Sequence, residues 1–107
     1  MSTRATIAVR RPDTCYDAVY LHFDGYPEHA GETLKQHFSM QSQAEELVAE
    51  GELRCFDRES GTAERYSNSG EPAILPTDEA LIEFARNCAA QFVYVFDDAA
   101  WSCKALS

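Results

Sequence analysis

The chain has 107 residues, 18 acidic against 9 basic side chains, and a formal charge of −9. That is one domain's worth of sequence, and 45% hydrophobic with 11% aromatic residues is a folding composition. The acidic balance argues against a direct nucleic-acid ligand, which needs surplus Lys and Arg. No apolar run approaches the roughly 18 residues of a membrane span.

Residues Ala5 to Arg10 alternate, with Ala5, Ile7 and Val9 on one side, and predict a first strand. Arg11-Pro12-Asp13-Thr14 is turn material. A second strand follows from about Tyr16 to Phe23, placing Val19, Leu21 and Phe23 on one face and Tyr20, His22 and Asp24 on the other. The pair reads as an antiparallel hairpin. Asp24-Gly25-Tyr26-Pro27 stops it, and Pro27 suits the first turn of a helix reaching Phe38. Here we expect Gly25 to adopt a conformation costly to other residues and Tyr26 to anchor the hairpin to that helix.

Ser42-Gln43-Ala44-Glu45 has the form of a capping box opening a second helix, closed by a left-handed Gly51. From Asp57 to Glu71 the chain is polar. It reads either as a loose hairpin, Leu53–Phe56 with Ala63–Tyr66, or as an exposed loop. Thr77 caps a third helix whose buried stripe is Leu81, Phe84, Ala85 and Cys88. Phe92 to Phe96 is apolar on both faces and so reads as a central strand. Asp97-Asp98-Ala99-Ala100 then turns it into a last strand from Trp101 to Leu106. The expected architecture is a single α+β domain over residues 1–107, with an antiparallel sheet from the two terminal hairpins and two to three helices on one face.

Cys15, Cys55, Cys88 and Cys103 contain no C-x-x-C pair, so neither a zinc knuckle nor a redox motif is supported. Met1 to Ala8 lacks the apolar stretch of a secretion signal, and with reduced thiols this leads us to expect a cytoplasmic protein.

All three histidines lie between His22 and His37. His22 and Asp24 share a face of the second strand, and His37 on the next helix could fold back toward them. Two imidazoles and a carboxylate could ligate a divalent metal, or supply a general base with its orienting acid. Blander roles also fit: His22 bonded on the sheet's second face, Asp24 as a turn residue, His37 as a core histidine, and His29 exposed at a helix start. We expect no cofactor and no metal.

The same stretch carries a resemblance. Met1-Ser2-Thr3-Arg4-x-x-Ile7-Ala8 and Tyr20-x-His22-x-Asp24-Gly25-Tyr26-Pro27-x-x-x-Gly31-x-x-Leu34-x-x-His37-Phe38 resemble a family of small phage and prophage proteins. Its members begin Met-Ser-Thr-Arg and carry a His-x-Asp-Gly-Tyr block, then Gly-x-x-Leu-x-x-His-Tyr. Tyr94-x-Phe96-Asp97 turning into Trp101 is also similar, so the resemblance covers about residues 1–50 and 90–103. Phe38 departs from the usual tyrosine, and the polar middle is short. What the resemblance implies is a phage-type origin and a class: accessory proteins that bind and disable host machinery, CRISPR effector complexes included.

The charge is uneven. Residues 41–53 hold Glu45, Glu46, Glu50 and Glu52 without a base, and residues 71–83 hold Glu71, Asp78, Glu79 and Glu83, also unopposed. Like charges four apart on a helix cost about 0.2–0.5 kcal/mol, so folding gains nothing from Glu46/Glu50 or Glu79/Glu83. A basic partner surface would gain from them, while solubility and helix dipoles explain them without one. Three functional readings follow. The first is a non-enzymatic inhibitor docking these carboxylates on a basic host surface, with Gly25, Tyr26, Pro27 and Gly31 as structural motif. The second is a small metal-dependent hydrolase using His22, Asp24 and His37. The third is a self-associating module, a homodimer, suggested by the amount of apolar strand.

Overall fold

A computed structural model describes residues 3–57, 59–65 and 70–106. The expected first hairpin forms as β1 (Ala5–Arg10) and β2 (Tyr16–Leu21), registered from Ala5↔Leu21 to Arg10↔Tyr16. Asp13 accepts from the Cys15 amide, and Thr14, at φ 72°, completes the reversal. After β2 comes a π-helical turn, Pro27–Gly31, running directly into α1 (Glu32–His37). α2 (Gln41–Ala49) begins one residue before Ser42. Its reciprocal cap is therefore made by Gln43, whose side chain reaches back to the Met40 amide at 3.1 Å. Glu45, the expected partner of Ser42, instead accepts from Gln41 at 2.8 Å. Gly51 closes the helix at φ 88°, as expected.

The polar middle is a hairpin, β3 (Leu53–Phe56) with β4 (Ala63–Arg65). Tyr66, expected to extend it, lies outside the described residues. A strand not anticipated, β5 (Ala73–Leu75), precedes α3 (Asp78–Asn87), where Thr77 accepts from the Ala80 amide at 3.1 Å. β6 (Phe92–Asp97) and β7 (Ala100–Ala105) form the second hairpin, with Asp98 at φ 53° and Ala99 at φ 61° in its turn.

The class is α+β, and the sheet arrangement differs from the expected one in two respects. The strands run β4-β3-β2-β1-β6-β7, with β5 also pairing β2. β1 lies parallel to β6, and β2 parallel to β3 at Leu21↔Leu53, so the sheet is mixed rather than antiparallel. Helices also cover both faces. Ile7, Val9, Leu21, Tyr94 and Phe96 pack with Leu34, Leu47 and Val48 of α1 and α2. On the other face Ala8, Ala18 and Val93 pack with Leu81 and Ala85 of α3. The physical reason lies in β1 and β6, whose two-sided apolar patterns need cover above and below.

The turn after β2 also works differently from expectation. Asp24, not Gly25, takes the left-handed conformation, at φ 57°. Gly25 is required for close approach instead: a Cβ there would lie 2.7 Å from the Cβ of Ala5 and 3.0 Å from the Thr3 carbonyl. Tyr26 is 37% exposed, and the anchoring contact comes from Tyr94, which donates to the Gly25 carbonyl. Gly31 is buried beside the same Tyr94 ring.

Candidate functional site, a cleft beside α2

α1 ends at His37 because Phe38 leaves helical geometry, its amide still bonding Leu34 O at 3.0 Å. The Phe38 ring then packs on Phe56 with centroids 5.8 Å apart, and its carbonyl accepts from the Trp101 indole at 2.8 Å. These contacts fix one wall of a cleft of about 500 Å³. The second wall is α2 with its C-cap residue, contributing Gln43, Glu46, Leu47 and the cap Glu50; the third is the β3–β4 hairpin, with Gly61, Ala63 and Arg65.

The hairpin is set by its turn. Asp57 accepts from the amides of Glu59 at 3.0 Å and Ser60 at 3.4 Å, and these bonds hold its carboxyl below the ordinary value. Gly61 follows at φ +73°, its backbone pressed on the imidazole of His37 so closely that a Cβ would sit 2.2 Å from Cγ. At the other end the Arg65 guanidinium donates to Leu47 O near the C-terminal end of α2, where a cation complements the helix dipole. Its side chain is only 16% exposed and lies 3.9 Å from Glu50. Burial lowers its pKa, and the neighbouring Glu50 opposes that shift. The cleft thus has an apolar floor (Phe38, Leu47, Ala63) and two carboxylates four residues apart along one wall.

Three residues singled out for different reasons, His37, Glu46 and Glu50, therefore converge. The remaining candidates do not. His22 follows β2 on the opposite face, its ring tilted against Tyr20 with centroids 4.0 Å apart and with Nε2 3.1 Å from Glu52. That contact takes Glu52 away from the cleft. Asp24 is exposed in the turn, and His29 places Nε2 3.0 Å from Phe56 O. Among the described residues no three or more His, Cys, Asp or Glu side chains are arranged to hold a metal. Glu45 is exposed on α2, while Asp78, Glu79 and Glu83 lie on α3 across the sheet.

Arg65 escaped the sequence reading, because its place opposite the end of α2 depends on how the hairpin folds over. Phe38 carried a signal, as an aromatic directly after the helical histidine, and was read as the end of the helix and as a departure from the resembled family's tyrosine. No helix among the described residues is long and apolar enough to cross a membrane. The chain matches no family model, no curated protein and no solved structure.

Proposed function

We propose that the protein is a non-enzymatic binding protein that seats the α2 side of its cleft on a basic protein surface. One observation carries this reading: Glu46 and Glu50 stand exposed, four residues apart along an α2 wall that faces an apolar floor. A lysine or arginine from a partner finds there both a carboxylate for its charge and apolar surface for its stem. Glu50 lies 3.9 Å from Arg65, whereas Glu46 has no ion pair among the described residues and so has a use in this account that folding alone does not give it.

In the phage-type setting implied by the resemblance, the partner is a host protein in the cytosol, such as the nucleic-acid-binding face of a CRISPR effector complex. Occupying that face blocks it without any reaction. The two acidic helices lie on opposite faces of the sheet, so a flat partner surface engages α2 and leaves Asp78, Glu79 and Glu83 out. The hydrolase reading loses its support, because His22 and His37 belong to different faces. Affinity capture from host lysate tests the proposal, with recovery of one specific basic protein expected and recovery of none overturning it.

A further inference from the structure

The acidic patch on α3 remains unexplained, and it overhangs the least protected edge of the sheet. β4 and β5 are three residues each. β4 carries Glu64 and Arg65 beside an irregular register, and Pro72 and Pro76 bracket β5. Such features guard edges against pairing. β7 has fewer of them: six residues, no proline, and Lys104 as its single charge. α1 reaches it only through Trp101, whose indole donates to Phe38 O, and among the described residues no strand pairs its outer edge. A hollow of about 290 Å³ beside Phe96 and Trp101 flanks it on one face. Another of about 240 Å³, lined by Asp78, Ser102 and Lys104, flanks it on the other.

The register says which groups are free. Leu106 donates to Gln91 O at 2.8 Å, so even-numbered positions of this strand turn their amides and carbonyls toward β6. Trp101, Cys103 and Ala105 then turn theirs outward. We propose that β7 pairs antiparallel with β7 of a second copy, on a two-fold axis at Cys103, forming a homodimer with one continuous sheet. This register opposes Trp101 to Ala105, bulky to small, and gives about six interstrand hydrogen bonds; shifting the axis to Ser102 gives about four.

It also sets Lys104 of each copy opposite Ser102 of the other, at the mouth of the hollow holding Asp78. Glu79 and Glu83 follow on the same helix, lining the adjoining hollow together with Arg86 and the same chain's Lys104. Among the described residues Lys104, Glu79 and Glu83 make no ion pair within the chain. The two-fold exchange supplies those pairs twice, as an isologous contact should. The interface is separate from the α2 cleft, so either proposal stands or falls alone.

Light scattering on the full chain reads the outcome. The expected result is twice the 12.0 kDa chain mass, with oxidation joining the copies through Cys103, since Cα atoms of such a cross-strand pair lie within disulfide range. Cys103→Pro removes an outward amide and the thiol beside Tyr94 but no β6–β7 ladder bond, so it should give a folded monomer, whereas Ser102→Pro should weaken that ladder. Should Cys103→Pro misfold, Lys104→Glu is the second test: dimer affinity falls about tenfold or more. Adding Glu79→Lys and Glu83→Lys should recover it. A wild-type monomer at every concentration overturns the proposal, as does a dimer untouched by Lys104→Glu or by folded Cys103→Pro.

Discussion

The phenol of Tyr94 donates a buried 2.7 Å hydrogen bond to the carbonyl of Gly25, joining β6 to a turn 69 positions earlier in the chain. The Gly25 amide in turn bonds Thr3 O at 2.9 Å. The Asp24-Gly25-Tyr26-Pro27 segment is thereby tied at Gly25 both to β6 and to the residue leading into β1.

Gly25→Val should destabilise the protein by about 1–3 kcal/mol, the usual cost of overpacking. The added Cβ meets Ala5 and a backbone oxygen, neither of which can swing aside. Thermal melting checks this, and an unchanged Tm would refute it.

Tyr94→Phe should cost about 1–3 kcal/mol, because the Gly25 carbonyl is left buried without its donor. Chemical denaturation measures the loss. A variant as stable as wild type would mean the bond contributes nothing.

Alkaline pH should destabilise the fold. Burial raises the Tyr94 phenol far above its ordinary 10.0 and raises the thiols of Cys55, Cys88 and Cys103 above 9.0. These groups are held neutral in the folded state, so their contribution is complete below the unfolded values. It is lost as pH rises past them, the thiols first and the phenol next. Tm measured from about pH 8 to 11 should fall, and less steeply in Tyr94→Phe. A flat profile contradicts the burial argument.

Gly61→Ala should cost about 1–3 kcal/mol, through positive φ and collision with the His37 ring. His37→Ala in the same chain should return part of that loss, since the collision disappears and the backbone strain remains. A double-mutant cycle reads the coupling, and strict additivity would show that the two residues do not press on one another.

Much of this fold is written locally. Thr77, Gly51 and the Asp97–Ala100 turn mark ends that depend on one or two neighbours, and they appear where periodicity and capping put them. β5 was illegible because three residues between prolines show no alternation. The parallel pairing of β1 with β6 joins chain segments far apart, and no local pattern states it. The Phe92–Phe96 run, apolar on both faces, carried the signal for cover on two sides, although the expectation placed the helices on one.

The candidate site divides the same way. Glu46 and Glu50 are legible from helical period alone. Gly61 against His37, and Arg65 against the end of α2, are contacts between elements that only the folded hairpin brings together. The histidines were misleading for a converse reason. Nearness in sequence across a strand end and a helix does not bring side chains to one face.

The central claim is that the carboxylates of the α2 wall seat a basic protein. Its most direct measurement is affinity capture from host lysate with wild type and with Glu46→Lys/Glu50→Lys side by side, both verified as folded. Wild type should retain one specific basic protein at low salt and release it as ionic strength rises, while the double variant retains none. Equal recovery by the two proteins would contradict the account.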